Sequence, residues 1–258
     1  MADSKNVLVQ IEKVKVGGID IARLNLDGTA DLMVRIVQSS PRGERPLNFT
    51  SANGEVIARY RSNKAFAKLI NDADLVSADG QPLVFASKIF GKAALPERVA
   101  TTDLYDRVAE RAERAGVSFY LLGATEEINR KTWEMTRSRY PRLKIVGRSH
   151  GYLTGAELEA RIQEIDALAP DILWLAMGVP AEQRFVDRWA PRLNNVGLIK
   201  TSGGLFDFYS GAKPRAPKLV QMLGLEWAYR ILVEPRRLFW RYAVTNPVAI
   251  VQLIRATA

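Results

Sequence analysis

Asp79 follows the short apolar stretch Asp74-Leu-Val-Ser-Ala78 and precedes Gly80. A carboxylate at the end of such a stretch can face a ligand and take a proton from it; an Asx-turn aspartate fits the same spacing. Asp207 stands after Gly203-Gly204 among Leu205, Phe206, Phe208 and Tyr209, where it can cap a helix or touch a ligand. Arg98, in Leu95-Pro-Glu-Arg-Val99, is placed to hold a phosphate or simply to face solvent. Asp72-Ala-Asp74 has the letters of a metal-holding D-x-D, but the pair falls where a helix ends, and alternate residues on a helix diverge instead of converging on one ion. The chain has no cysteine and one histidine, His150, which removes disulfides, thiolate metal sites and histidine clusters. His150 reads as a loop or strand-end residue, and no metal or other cofactor is expected.

These groups need elements to position them. Residues 7–24 alternate apolar and polar around Gly17-Gly18 and read as a β-hairpin. Beyond it, helical periodicity over 29–37, 63–70, 102–115, 125–139, from Thr154, and over 181–189 alternates with strand-like segments at 47–50, 119–122, 143–146, 171–177 and 196–200. Gly116 closes one helix, and Thr154 with Glu157 has the spacing of a capping box. Continuously apolar strands between helices predict an α/β, Rossmann-like, mostly parallel sheet covered on both faces. Ligands gather where such strands end, which points to the loops at 51–53, 78–80, 123–125, 178–180 and 201–207. No G-x-G-x-x-G follows a strand and no Walker loop occurs. Gly123 and Gly178 each stand alone at a strand-to-helix turn, serving the turn or offering amides to a diphosphate.

The chain has 258 residues, 47% hydrophobic and 25% charged, with net charge +9, the usage of a globular protein. No apolar run approaches the roughly 18 residues of a spanning helix, and Met1 to Asn6 shows no secretory pattern; the cytoplasm is expected. The charge is focused. From Gly211 onward eight basic residues oppose only Glu226 and Glu234, interleaved with Trp227, Trp240, Tyr242 and many leucines. Leu219, Leu223, Trp227 and Ile231 form an i, i+4 row, and Pro235 suits the start of a second short helix. The composition breaks near Gly211, so the expected division is a Rossmann-like domain over 1–210 and a basic, aromatic helical appendage over 211–258. Interfacial aromatics with arginines suit an anionic membrane surface; a helix pair packed on the main domain, or a homo-oligomer contact, is the alternative.

Ser51-Ala-Asn53, Ala78-Asp-Gly80, Pro96-Glu-Arg-Val99 with Asp103-Leu104, Gly178-x-Pro180, Gly203-Gly-x-Phe-Asp207, Gly211 with Arg215-Ala-Pro217, and Glu226-Trp-x-Tyr-Arg230 running into Glu234-Pro-x-Arg237 and Arg241-Tyr242 occur in this order. In this the chain resembles the WecG/TagA/CpsF glycosyltransferases over nearly its whole length. The resemblance implies an inverting, metal-independent transfer from a UDP-sugar to a sugar on a polyprenyl diphosphate, for cell-surface polysaccharide. It implies a peripheral place on the inner face of the bacterial cytoplasmic membrane. Carried over by position, Asp79 is the catalytic base, Ser51 and Asn53 flank the nucleotide sugar, Arg98 binds diphosphate and Asp207 is the carboxylate of the Gly-Gly-x-Phe-Asp motif; Gly123 and Gly178 are expected at the nucleotide sugar through their turn amides. Arg230, Arg236, Arg237 and Arg241 belong to an appendage that closes over the site.

Three departures from the family pattern bear on the sugar. Ser51 replaces a threonine, Glu182-Gln183 exchanges the order of amide and acid at implied donor contacts, and Thr201-Ser202 precedes Gly203-Gly204 where Gly-Val is usual, with Thr102 in place of a glycine. The implied donor is a UDP-hexose or UDP-N-acetylhexosamine, with an N-acetylmannosamine-like sugar favoured. A nucleotide-binding oxidoreductase and a basic nucleic-acid-binding protein are the rival readings. The first lacks the glycine fingerprint, and the second does not explain the aliphatic runs among the tail aromatics; no nucleic-acid partner is expected.

Overall fold

The computed structural model describes residues 4–39 and 42–258; Met1 to Asp3, part of the segment where no leader was expected, lie outside them. The chain runs α1 (Ser4–Val9), β1 (Lys13–Val16), β2 (Ile19–Ala22), α2 (Leu26–Ser39), β3 (Leu47–Ala52), α3 (Gly54–Ser62), α4 (Lys64–Asn71), β4 (Leu75–Ala78), α5 (Gln81–Phe90) and α6 (Thr101–Ala115). It continues through β5 (Ser118–Gly123), α7 (Glu126–Arg139), β6 (Lys144–Ser149), α8 (Gly155–Leu168), β7 (Ile172–Ala176), α9 (Ala181–Trp189), β8 (Leu198–Thr201) and α10 (Leu205–Tyr209). The basic tail forms α11 (Lys218–Met222), α12 (Glu226–Val233) and α13 (Pro235–Arg255).

Six strands pair in parallel in the order β4-β3-β8-β7-β5-β6, as their continuous apolar character predicts. Alternate side chains divide between the two faces. Phe49, Phe119, Leu121, Trp174 and Leu198 join α2 and α6 in one cluster, while Tyr120, Leu122, Leu173, Leu175 and Ile199 meet the helices that follow β6 and β7. In α6 the buried row Leu104, Tyr105, Val108, Ala109 and Ala112 has helical spacing, and Gly116 ends it at φ +71, where a residue with a Cβ is disfavoured.

A third cluster brings the two ends of the chain together. Val14, Val16, Ile19 and Ile21 of the hairpin pack with Val56 and Ile57 of α3, with α5, and with Ala249 and Leu253 of α13. Backbone bonds stitch the same contact, from Gly18 N–H to Ala256 carbonyl (2.7 Å) and from Ala258 N–H to Lys15 carbonyl (3.0 Å). Gln252 Nε2 also donates to Gly17 carbonyl at 2.9 Å.

Several local expectations are corrected. The hairpin spans Lys13 to Ala22, and residues 7–9 are helical; Val7, Leu8 and Ile11 fit one helical face as well as a strand, and they pack on the first cluster. Helix α3 was not foreseen. Thr154 stands at the start of α8 without a side-chain capping bond, and Gly155 after it takes φ +52, outside the conformation of a regular first turn. The row from Leu219 to Ile231 is split between α11 and α12 by Gly224 at φ +72. The helix that Pro235 opens is not short: it has 21 residues and includes Pro247.

Candidate functional site

Strand order places the site. β3 leads to its neighbour β4, and the chain then crosses to β5 on the other half of the sheet, with β8 and β7 filling the space between. A sheet whose order reverses in this way opens a crevice beyond its strand ends. The loops after β3, β4 and β8 converge there with α12 and α13 around a cleft of about 400 Å³ lined by Ser51, Asn53, Asp79, Arg98, Thr101 and Glu182, and closed by Trp227, Arg230 and Tyr242.

Asp79 sits where β4 ends, with 22% of its side chain exposed. Its backbone is fixed on both sides: N–H donates to Ala52 carbonyl at 2.8 Å, and its carbonyl accepts from Arg98 Nε at 2.8 Å. Its carboxylate accepts from Thr101 Oγ1 at 3.0 Å and Thr101 N–H at 3.3 Å, with Arg98 Nη2 at 3.6 Å. Burial pushes the Asp79 carboxyl above its ordinary range; Arg98, Thr101 and Lys200 oppose that shift and Glu226 adds to it. A carboxylate raised toward neutrality, yet still ionisable, suits a general base.

Around it the sequence candidates separate. Asn53 caps α3, its Oδ1 accepting from Val56 N–H at 3.1 Å, and so turns the β3 loop into the cleft wall. Ser51 Oγ accepts from Lys200 Nζ at 2.8 Å. Arg98 is clamped, with Nη1 at 2.8 Å from Glu226 of α12. Glu182 is buried and accepts from the N–H groups of Gly203 (2.8 Å) and Ser202 (3.3 Å), latching the loop after β8; burial pushes its carboxyl up while those amides and Lys200 oppose. Gln183 is buried beside it, off the cleft lining, and donates to Glu182 at 3.3 Å.

Gly123, Gly178 and Asp207 also lie off the lining. At Gly123 a Cβ would fall 2.1 Å from the Ala176 carbonyl oxygen, so this glycine serves the close approach of β5 and β7. Gly178 accepts at its carbonyl from Glu182 N–H at 3.0 Å, the first bond of α9. Asp207 pairs with Lys213 at 3.1 Å. Of the tail arginines, Arg230 reaches the cleft and lies over the Phe208 ring at 5.2 Å, Arg241 pairs with Glu55 at 3.3 Å, Arg237 pairs with Glu234 at 2.5 Å, and Arg236 is exposed.

Asp72 and Asp74 belong elsewhere. Asp74 binds Arg45 through both oxygens at 2.9 Å and accepts from Asn48 N–H, at the opposite end of β4 from Asp79. Asp72 pairs with Lys68. Among the described residues no group of three potential metal-ligating side chains is assembled. Sequence reasoning missed Thr101, Lys200 and the role of Glu226. A single lysine inside the apolar run 196–200 was the one local signal for Lys200.

A family model described as glycosyl transferase WecG/TagA/CpsF family matches residues 14–258. The chain is 30% identical over 208 residues to an N-acetylglucosaminyldiphosphoundecaprenol N-acetyl-beta-D-mannosaminyltransferase of Bacillus spizizenii, covering 80% of this chain and 77% of that one. It is 28% identical over 230 residues to a protein of the same name from Staphylococcus aureus, with 88% and 89% covered.

Proposed function

The chain belongs to the WecG/TagA/CpsF glycosyl transferase family, and from that premise we propose that it moves a hexose or N-acetylhexosamine from a UDP-sugar to a polyprenyl-diphosphate-linked sugar, with inversion and without a metal. The two similar enzymes, named for N-acetylmannosamine transfer to N-acetylglucosaminyldiphosphoundecaprenol, favour an N-acetylmannosamine-like donor.

The observation that carries the reading is Asp79, fixed at the cleft floor with its carboxyl raised by burial. The acceptor hydroxyl oxygen attacks the anomeric carbon from one face while Asp79 takes its proton; the bond to the UDP oxygen breaks on the other face, and UDP leaves with the electron pair. Charge developing on the leaving diphosphate needs fixed donors. Arg98 and Arg230 line the cleft, and the Asp72 and Asp74 carboxylates that imitate a metal motif are held in ion pairs elsewhere.

The tail supports work at a membrane. Among the described residues no helix is long and apolar enough to cross one. Yet Leu219, Met222, Leu223, Leu232, Phe239 and Trp240 are exposed, and Gly224, between α11 and α12, lies beside Phe85 of α5, which is exposed too. We assign the displacement to residues 1–210, completed at the cleft wall by Arg230 of the tail, and docking on the inner face of the cytoplasmic membrane to the outer surface of 211–258, whose last turns also clasp the hairpin.

Transfer assays with UDP-N-acetylmannosamine, UDP-N-acetylglucosamine and UDP-glucose, a prenyl-diphosphate N-acetylglucosamine acceptor and excess EDTA test this. One donor should yield a disaccharide of inverted anomeric configuration at a rate EDTA leaves intact. Transfer that stops with EDTA and returns with magnesium or manganese refutes the metal-free displacement, and tight NAD binding without any transfer would favour an oxidoreductase.

A further inference from the structure

Behind the floor of the cleft lies a charge that this mechanism does not use. Lys200, in β8, is 0% exposed and is absent from the cleft lining. A buried ammonium requires partners. Its Nζ donates to Ser51 Oγ at 2.8 Å and to Thr201 carbonyl at 2.9 Å. Ser51 Oγ lies 3.3 Å from Thr101 Oγ1, which lies 3.0 Å from Asp79 Oδ2. An ammonium has donors only. Ser51 therefore accepts from Lys200 and has its own proton free for Thr101, whose proton goes to the carboxylate. Every bond in the series then points toward Asp79.

We propose that Lys200 is a positioning residue for the base, holding Asp79 as an oriented, ionised acceptor through the hydroxyls of Ser51 and Thr101. The inference rests on Asp79 being that base. Lys200 exchanges no proton in the step; the acceptor proton goes to Asp79 as described above.

The charges around the series set its pH behaviour. Asp79 is faced by Arg98 from the loop before α6, Glu226 from α12, Arg215 from the segment before α11, and Lys200 from β8. Lys200 is faced by Asp79 and by Glu182 of α9, and burial pulls its ammonium down to about 8. The ammonium is thus present at neutral pH and lost as pH rises through that value. Once it is lost, Ser51 and Thr101 are free to reverse, and one of the groups that favour the Asp79 anion against burial is gone, with Arg98 remaining.

The test compares Lys200→Met and Thr101→Val with the parent in pH profiles of kcat and in UDP calorimetry. Lys200→Met should keep UDP affinity, lose roughly 10-fold or more in kcat at neutral pH, move the acidic limb up and lose the alkaline limb near 8. Thr101→Val, which removes a direct donor to Asp79, should also raise the acidic limb; if Lys200→Met does not fold, Ser51→Ala, which breaks the series between Lys200 and Thr101 and keeps the Thr101 bond to Asp79, decides the matter by raising the acidic limb or leaving it in place. An unmoved acidic limb, or a loss confined to donor KM and UDP affinity, overturns the inference. Asp79→Asn run alongside separates the two readings: an inactive Asp79→Asn beside an unmoved limb sinks only the role of Lys200, whereas an active one removes the base on which it rests.

Discussion

Asp79 is fixed in the cleft by Thr101 and Arg98, and its environment works in two directions. Burial favours the neutral acid, whereas Arg98, Thr101 and Lys200 favour the anion. Asp79→Asn should therefore fold and bind UDP with near-parental affinity while kcat falls roughly 10²–10⁴-fold, the usual contribution of a general base; near-normal turnover would move the base elsewhere, with Glu226 of the cleft lining the next candidate and not Asp207, which lies off it. Asp79 was legible because a carboxylate at the end of a short apolar stretch lies where ligands gather. Glu182 was legible only as a position. Its carboxylate turns toward the amides of Ser202 and Gly203 and latches the loop after β8.

Tail helices α11 to α13 combine two unlike surfaces. Their inner side reaches the cleft through Glu226, Trp227, Arg230 and Tyr242, and their outer side exposes Leu232 at 80% and Trp240 at 73%. Each basic residue near an anionic surface contributes roughly 1 kcal/mol, so docking as proposed would draw on Arg236 and Arg237 beside the exposed apolar groups. Replacing Leu232, Phe239 and Trp240 together by serine should abolish co-sedimentation with phosphatidylglycerol vesicles and leave turnover of a short-chain, water-soluble acceptor nearly intact. Unchanged sedimentation would instead make this outer face a contact between copies of the chain. The paired charges of the inner side respond differently. Glu226→Gln frees Arg98 from its 2.8 Å partner, and UDP should bind more tightly because a guanidinium no longer shared with a carboxylate meets the diphosphate; unchanged or weaker UDP binding by calorimetry would place the diphosphate away from Arg98.

In the whole molecule, the last helix is a structural part as well as a tail. Leu253 is buried in the cluster that joins the hairpin, α3 and α5, and the residues after it bond to the hairpin backbone. Leu253→Ala should lower unfolding free energy in urea by roughly 2–4 kcal/mol, the range for a leucine lost from a core; a loss under about 0.5 kcal/mol would show that α13 is not built into the fold. Because the same helix carries Tyr242 and Asn246 on the cleft wall, folding of the chain ends and completion of the site are physically linked.

Local pattern determined much of this by itself. Period and apolar run length are properties of neighbouring residues, so the parallel strands, the buried face of α6 and the strand-end position of Asp79 could be read without the fold, as could the concentration of arginine and tryptophan after Gly211. The remainder depended on residues far apart in sequence. Lys200 meets Ser51, Arg98 meets Glu226, and Gln252 meets Gly17, contacts for which spacing along the chain carries no signal. Gly123 and Gly178 looked alike in sequence, and only the approach of Ala176 separates them. The tail row was likewise undone by a single residue, Gly224, whose left-handed backbone breaks the helix between Leu223 and Trp227. Periodicity specifies which side of an element is apolar; the tertiary structure decides which buried charge finds which partner, because a desolvated ammonium or carboxylate is tolerable only where another element brings its counterpart.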